Sequence, residues 1–380
     1  MNTETIWLSS PHMSGNEMKY IEEAFSKNLV MPLGPNVTGF EDDIRKYNNI
    51  KGCSCLSSGT AALHLALILL GVEQDDEVIC STFTFSASAN PIVYQKAIPV
   101  FVDSDFQTWN MDPYLLREAI VDRIAQTGKK PKAIVVVHLY GMPAQMDEIM
   151  LIANEFEIPV IEDAAEALGS SFKSKRCGTF GEIGILSFNG NKIITTSGGG
   201  ALISDNEEHC RKATFLATQA RDAAPHYQHS HIGYNYRMSN ICAGIGRGQI
   251  EVLEQRIEKR RENFLFYKKH LEPIQGITVL TEPSDDYYSN HWLTTIFVDR
   301  VITGCVSRET LRLGLEKLNI ETRPLWKPMH LQPIFHNYPA YTNGTSDYLF
   351  DNGLCLPSSS NITDEERQRV VDEVKRLCIS

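Results

Sequence analysis

The stretch that decides the fold is residues 133–163, AIVVVHLYGMPAQMDEIMLIANEFEIPVIED. Two short apolar runs, residues 133–138 and 158–161, enclose a helical pattern at residues 146–156. Strands that are apolar on both faces and separated by a helix of this length are typical of a right-handed βαβ crossover in a parallel sheet covered on both sides. This stretch therefore predicts an α/β fold.

The same alternation extends through the first 270 residues. Further strand-like runs and helical patterns occur at residues 77–80 and 98–102, and at 60–70, 86–94 and 113–124. A long helical pattern spans 239–270, and beyond it short strands such as 294–298 mix with helices, the last opened by a capping box at Thr363 and Glu366. We expect a large, mostly parallel α/β/α sheet domain at residues 1–270 and a smaller α+β C-terminal domain at 271–380.

Composition excludes several classes of protein. The 380 residues are 42% hydrophobic and 22% charged, as in globular proteins, and the net charge of −11 gives no field that would attract nucleic acid. The longest apolar run, residues 61–71, is too short to cross a bilayer, and the first ten residues lack a signal-peptide pattern. The nine cysteines form no cluster at metal-ligand spacing. We expect a cytoplasmic protein with no membrane, nucleic-acid or metal partner.

A turn of small and hydroxyl residues, Ser57-Ser58-Gly59-Thr60, stands where a strand should give way to a helix. The free N–H groups and positive dipole of a helix N-terminus bind anions, and phosphate is a typical ligand. Ser and Thr are also common as ordinary helix caps. From this motif alone both interpretations stay open.

Two ionisable residues stand out farther along the chain. Asp163 ends an apolar strand, where open α/β sheets bind ligands, although it could equally cap the following segment. Lys192 follows 29 positions later, among apolar residues and glycines. Burying such a lysine is costly unless it is paired or used covalently, and lysines in these settings form Schiff bases.

Together these residues match the requirements of pyridoxal phosphate. This cofactor needs an imine-forming lysine, a carboxylate at the pyridine nitrogen, an aromatic ring on its face and a phosphate cup. The candidates for these four roles are, in order, Lys192, Asp163, Phe85 and the segment Ser58-Gly59-Thr60 with Ser187.

The order and spacing of the motifs resemble the DegT/DnrJ sugar-nucleotide aminotransferases, which share the aspartate-aminotransferase fold. The matching blocks run through nearly the whole chain, at residues 32–35, 58–63, 99–103, 138–141, 162–165, 233–239 and 356–357. The resemblance implies a pyridoxal phosphate-dependent enzyme that moves the amino group of L-glutamate to a nucleotide sugar.

The resemblance also implies individual roles. Lys192 would bind the cofactor covalently, Asp163 would contact the pyridine nitrogen, and Phe85 would stack on the ring. The phosphate ligands would be Gly59, Thr60 and Ser187, with Asn235 reaching in from a second subunit of a homodimer that shares its active sites. Glu166 stands beside the cofactor where many family members carry Gln or His, so its contact is left open.

Within the family, segments 162–169, 189–200 and 321–327 resemble enzymes that aminate C4 of UDP-2-acetamido-2,6-dideoxy-4-ketoglucose on the route to bacillosamine. This likeness implies a set of substrate-binding residues: Asn28, Leu29, Val30, Met31, Arg237, Trp326, Lys327, Met329 and His330. Independently of it, Arg323, Lys327 and His330 supply local cations for a diphosphate, and Trp326 supplies a flat apolar surface.

Several alternatives stay open or are disfavoured. A GDP-linked substrate stays open as an alternative to the UDP-linked one, because the sequence does not decide between the two carriers. Dehydratase relatives carry His in place of the lysine, so Lys192 argues against that activity. Gly244 and Gly246 lie in a helical pattern with no preceding strand and predict close helix packing, not a dinucleotide turn. His138 lacks a second metal ligand at suitable spacing, which favours a hydrogen-bonded structural role.

Overall fold

The computed structural model describes residues 4–304 and 306–379. Its strands in chain order are β1 Gly52–Leu56, β2 Glu77–Ser81, β3 Ile98–Val102, β4 Ala133–Val137, β5 Val160–Asp163, β6 Ser171–Phe172, β7 Lys175–Arg176, β8 Ile183–Ser187, β9 Gly200–Ser204, β10 Ile277–Val279, β11 Tyr287–Tyr288, β12 Thr294–Val298, β13 Arg323–Pro324, β14 Ala340–Tyr341 and β15 Gly353–Leu356. Its helices are α1 Glu17–Ser26, α2 Pro35–Asn48, α3 Gly59–Leu69, α4 Asn90–Tyr94, α5 Pro113–Thr127, α6 Met146–Glu155, α7 Glu207–Ala217, α8 Asn240–Ile250, α9 Leu253–Leu271, α10 Arg308–Glu316, α11 Thr345–Asn352 and α12 Asp364–Ile379.

The large sheet is mostly parallel, as the sequence predicts. Its strand order is β1-β9-β8-β5-β4-β2-β3-β14. The pairings from β8 to β14 are parallel, whereas β9 runs antiparallel to both β1 and β8. The parallel part places the carboxyl ends of β2, β4, β5 and β8 at one edge, which is where the site forms.

Helices cover both faces of this sheet. Along β4, Val135 packs in a core with residues of α3 and α7, while Ile134 and Val136 pack in a second core with residues of α5 and α6. Neighbouring residues of one strand are thus buried against opposite layers, which explains why β4 is a continuous apolar run. The predicted α/β/α arrangement is confirmed.

A second, antiparallel sheet, β10-β12-β15-β13, packs against α9, α10 and α12. Elements cross the predicted boundary at residue 270 in both directions. The short strand β14 joins the large sheet, and Ile6 pairs with Ile320 next to the small sheet. These two pairings connect the predicted domains. The division into residues 1–270 and 271–380 stays a prediction.

Two predicted helices differ from the structure. The pattern at 239–270 forms two helices, because the chain leaves helical geometry at Val252 between α8 and α9. The predicted helix at 86–94 begins as a 3₁₀ turn at Ser86–Ser88 and becomes α4 only at Asn90. Pro91 lacks an N–H and is tolerated only in the first turn of a helix, so the α-helix begins there.

Three local predictions are confirmed. A Cβ on Gly244 or Gly246 would lie 2.9 Å from the Asn36 side chain or 2.6 Å from the Phe40 ring, so these glycines permit close helix packing. Thr363 and Glu366 exchange backbone-to-side-chain hydrogen bonds of 2.8 and 3.2 Å, which is a capping box. His138 is buried, lies 2.9 Å from the Glu162 carboxylate and accepts the Ala144 N–H at 3.1 Å. A search of residues 4–304 and 306–379 finds no helix with the length and hydropathy of a membrane span.

Candidate active site

The carboxyl ends of four parallel strands open onto one cavity of about 460 Å³. Its lining comes from the segments after β2, β4, β5 and β8, from the first turn of α3, and from the loop between β8 and β9. Open α/β sheets bind ligands at this edge. The predicted residues that line the cavity together are Ser58, Gly59, Thr60, Phe85, Asp163, Glu166, Ser187, Lys192 and Trp326.

Asp163 is fixed at the end of β5. One carboxylate oxygen accepts the Ser88 hydroxyl at 2.7 Å, and the other accepts the Ala165 N–H at 3.2 Å. The Ser88 hydroxyl in turn lies 2.8 Å from that of Thr84. Only 9% of Asp163 is exposed. The carboxylate is therefore oriented from two sides inside the cavity. Its hydrogen bond to the Ala165 N–H caps the following segment and leaves it in the lining of the cavity.

Lys192 lies in the turn between β8 and β9, where its N–H donates to the Asn189 carbonyl at 3.0 Å. Its ammonium lies 3.5 Å from a carboxylate oxygen of Glu166 and 4.2 Å from the centre of the Trp292 ring. Only 14% of the side chain is exposed. The lysine is thus buried with a charge partner and an aromatic face, the setting that a buried amine requires.

Glu166 faces Lys192 on one side and the main chain on the other. Its second carboxylate oxygen accepts the Tyr140 N–H at 2.7 Å. Burial raises the pKa of the Glu166 carboxyl above its ordinary value of 4.5, while Lys192 and the Tyr140 N–H oppose that rise. The structure therefore places Glu166 between Lys192 and the main chain of Tyr140, and its contact with the cofactor stays a prediction.

The raised pKa of Glu166 gives a testable effect on stability. A carboxyl whose pKa is higher in the folded than in the unfolded state stabilises the fold fully below about pH 4.5, and this contribution is lost as the pH rises through the raised pKa. Gln does not titrate. We therefore expect the melting temperature of cofactor-free Glu166→Gln, minus that of the wild type, to increase from about pH 4.5 to neutral pH. The exposed Glu118→Gln is the matched control. A constant difference across this range would contradict a raised pKa.

The start of α3 forms a cup for an anion. The Ser58 hydroxyl caps the helix by accepting the Ala61 N–H at 3.0 Å, so the capping role considered from the sequence is confirmed. The first N–H groups of a helix have no partners within it, which leaves those of Gly59 and Thr60 for a ligand. A Cβ at Gly200 would lie 2.3 Å from the Gly59 nitrogen. Glycine is thus required where β9 passes beneath the cup.

These residues fit pyridoxal phosphate. The cavity contains an amine at Lys192, a carboxylate at Asp163, a half-exposed aromatic ring at Phe85, and a helix N-terminus beside the Ser187 hydroxyl. Each matches one of the cofactor's four chemical requirements. The donor set therefore agrees with the cofactor that the sequence predicts.

A second cavity of about 590 Å³ adjoins the first. The Phe85 and Trp326 rings line both cavities, and their centres lie 5.1 Å apart. Lys327 and Met329 line the second cavity, although Met329 is almost fully buried. Arg323 also lines it and is paired with Glu321 at 2.9 Å.

Two predicted substrate-binding residues are placed differently. His330 lies outside the lining of both cavities because its ring lies 2.7 Å from the Thr82 hydroxyl and 2.9 Å from the Asp347 carboxylate. Arg237 is mostly buried, pairs with Glu41 and donates to the Cys55 carbonyl at 3.0 Å. A buried guanidinium needs such partners, which hold Arg237 away from the cavity. The structure thus shows both side chains in structural contacts.

Asn28 to Met31, predicted to bind substrate, and Asn235, predicted to serve a second subunit, lie outside both cavities of their own chain. Asn28 to Met31 connect α1 and α2, where the Asn240 side chain donates to the Leu29 carbonyl at 3.0 Å. Val30, Met31 and Asn235 are exposed. The substrate role of Asn28 to Met31 and the second-subunit role of Asn235 stay predictions.

Sequence reasoning missed four residues that shape the site: Ser88, Tyr140, Asn191 and Trp292. Trp292 is 100 positions from Lys192 and precedes a strand of the other sheet, so no local pattern connects the two. Tyr140 stacks with both Trp292 and Trp326, at centre distances of 6.4 and 6.3 Å. Ser88 belongs to the hydroxyl-rich segment 81–88, the one signal that could have indicated it.

Comparisons with known proteins agree with this geometry. Residues 11–375 match the DegT/DnrJ/EryC1/StrS aminotransferase family. The chain is 50% identical to "Putative pyridoxal phosphate-dependent aminotransferase EpsN" of Bacillus subtilis (strain 168), over 98% of this chain and 95% of the relative. It is 36% identical to GDP-perosamine synthase of Escherichia coli O157:H7, over 94% of each chain. The fold matches the crystal structure of a DegT DnrJ EryC1 StrS aminotransferase from Brucella abortus with a TM-score of 0.89, at 25% identity and 96% coverage of both chains.

The family match spans nearly the whole chain, and it includes every strand whose carboxyl end opens onto the cavity. The chain belongs to the DegT/DnrJ/EryC1/StrS aminotransferase family.

Proposed function

We propose that this enzyme transfers the amino group of L-glutamate to the C4 ketone of a 4-keto-6-deoxyhexose attached to a nucleoside diphosphate. The aminotransferase class and the pyridoxal phosphate cofactor, both predicted from the sequence, are confirmed by the family and its relatives. The observation that carries the proposal is the placement of Lys192 and Asp163 in one cavity that adjoins a second cavity lined by Trp326 and Lys327.

Each residue of the first cavity has a defined task. Pyridoxal phosphate, when bound, supplies an electron sink. Lys192 would hold it covalently, and its amine, once free, would accept and return the proton that moves during the transfer. The Asp163 carboxylate would keep the pyridine nitrogen protonated by its charge, and Ser88 and Ala165 hold its two oxygens in place. The N-terminus of α3 would hold the phosphate.

The second cavity supports a nucleotide sugar as the amino acceptor. Trp326 offers a flat apolar face, and Lys327 supplies positive charge for a diphosphate. Arg323 also lines the cavity, but it shares its charge with Glu321, which lines it as well. Because Phe85 and Trp326 line both cavities, a sugar held in the second can present its carbonyl to Lys192 in the first.

Two carriers are candidates. Segments 162–169, 189–200 and 321–327 favour a UDP-linked N-acetylated sugar of the bacillosamine type. The relative named GDP-perosamine synthase favours a GDP-linked sugar. Incubation with L-glutamate and each 4-keto nucleotide sugar should give 2-oxoglutarate and a 4-amino sugar in equal amounts with one carrier. If neither ketone leads to release of 2-oxoglutarate, the proposed class of acceptor is refuted. A dehydrated sugar among the products would indicate the dehydratase alternative.

We also propose that the active sites are shared in a homodimer, with Asn235 serving the partner's cofactor phosphate. Asn235 is exposed and lies outside the cavities of its own chain, which supports this assignment. Lys192→Ala and Asn235→Ala should each lose activity as homodimers. In a mixed dimer one site carries both changes and the other carries neither, so random pairing should restore roughly a quarter of the wild-type sites. Heterodimers that form, as seen by mass, but show no recovery would contradict shared sites.

A further inference from the structure

A buried arginine lies behind the lysine turn with no acidic partner. Arg260 is 1% exposed, and no carboxylate among residues 4–304 and 306–379 pairs with it. Burial, with a contribution from Arg256, lowers the pKa of Arg260 to about 9. Burying a cation in this way is destabilising unless its donors are used. The hydrogen bonds that Arg260 donates therefore indicate its role.

The two ends of the Arg260 guanidinium hold two different segments. One nitrogen donates to the Trp292 carbonyl, and the other donates to the Ser9 hydroxyl at 3.0 Å. Ser9 lies in the N-terminal segment, and Trp292 immediately precedes the buried Leu293 and β12. One side chain thus connects parts of the chain that are far apart in sequence.

Both segments then converge on a single atom. The Trp292 indole N–H donates to the Asn191 carbonyl at 2.7 Å, and the Ser9 hydroxyl donates to the same carbonyl at 2.6 Å. Asn191 directly precedes Lys192, whose ammonium lies 4.2 Å from the Trp292 ring centre. The hydrogen bonds form a closed ring that runs from Arg260 through two arms to the backbone beside Lys192.

We propose that Arg260 is a positioning residue: through Trp292 and Ser9 it fixes the Asn191 carbonyl and so holds the Lys192 amine in its working position. The proposal rests on the role of Lys192 in the proposed function. A lysine that must be released and then move a proton needs a fixed backbone, because small misplacements of reacting groups reduce rates strongly.

The test compares Arg260→Met with Arg256→Met. Arg256 is a neighbouring buried arginine that donates to the Met13 carbonyl at 3.1 Å and not to Trp292, Ser9 or Asn191, so it controls for loss of a buried cation. We expect kcat of Arg260→Met, per bound cofactor, to fall about 10- to 100-fold with KM for glutamate nearly unchanged. Arg256→Met should lower the melting temperature but keep kcat. Arg260→Lys keeps the positive charge but loses the two separated N–H donors of the guanidinium, so its kcat should stay well below that of the wild type.

A second pair of changes tests the ring without touching Arg260. The double variant Trp292→Phe/Ser9→Ala removes both donors to the Asn191 carbonyl, so its kcat should also fall about 10- to 100-fold. It tests the positioning role independently where Arg260→Met does not fold. In cofactor-free protein, labelling of residue 192 by trinitrobenzenesulfonate, mapped by peptide mass, should be faster in the double variant than in the wild type.

Unchanged kcat and labelling in the double variant would overturn the positioning role. Equal kcat losses in Arg260→Met and Arg256→Met would also overturn it, because they would show a general effect of burial. A failure of the proposed function can be distinguished from a failure of this positioning role, because labelling of residue 192 requires neither the amino donor nor the acceptor.

Discussion

Under the proposed function, Lys192→Ala is expected to reduce turnover by at least about 10⁴-fold, because it would remove both the covalent attachment and the group that moves the proton. The phosphate cup at α3 and the Asp163 carboxylate do not depend on this side chain. The variant should therefore still bind pyridoxal phosphate noncovalently. Steady-state release of 2-oxoglutarate measures turnover, and equilibrium dialysis measures the cofactor.

The exposed Lys129→Ala provides the control for loss of a lysine. Borohydride treatment of the wild type should fix the cofactor to residue 192, as located by peptide mass. An adduct on another lysine, or turnover of Lys192→Ala within tenfold of the wild type, would show that a different amine does this chemistry. Since Glu166 would lose its charge partner at 3.5 Å, a lower melting temperature is expected and does not count against the assignment.

The sequence predicts those parts of the fold and site that depend on local patterns. The run at β4 is apolar throughout because both its faces are buried, and Asp163 is identifiable because it ends a similar strand. Lys192 is conspicuous because an amine among apolar residues and glycines needs a chemical reason. Such features are visible within about ten residues of chain.

What the sequence could not predict depends on contacts between distant segments. The break at Val252 between α8 and α9 interrupts an amphipathic pattern that continues across it. The His330 side chain has the chemistry of a diphosphate ligand, but its ring contacts Asp347 and Thr82. The arm from Arg260 through Trp292 to Asn191 joins three remote segments by hydrogen bonds that leave no spacing in the sequence.

Asp163→Asn is expected to have the second largest effect, a loss of about 10² to 10⁴-fold in kcat. The amide retains the size of the carboxylate and can still accept the Ser88 hydroxyl, but it carries no charge to stabilise a protonated ring nitrogen. Ser88→Ala removes the hydrogen bond and leaves the charge, so its loss should be much smaller. The two variants together separate the charge of the carboxylate from its orientation.

Asp103 offers a matched control, because it also follows a parallel strand of the large sheet and is fully buried. Its carboxylate accepts the N–H groups of Asn343, Gly344 and Ser346 at 3.0–3.1 Å, which makes it a structural acceptor at the start of α11. Asp103→Asn should therefore lower the melting temperature and leave kcat per folded molecule unchanged, whereas Asp163→Asn should lower kcat and leave the melting temperature nearly unchanged.

If Asp163→Asn kept a near-normal kcat, the ring nitrogen would have to be held by another group. If both variants lost only stability, the strand-end position of Asp163 would be a structural feature of the sheet and not part of its chemistry.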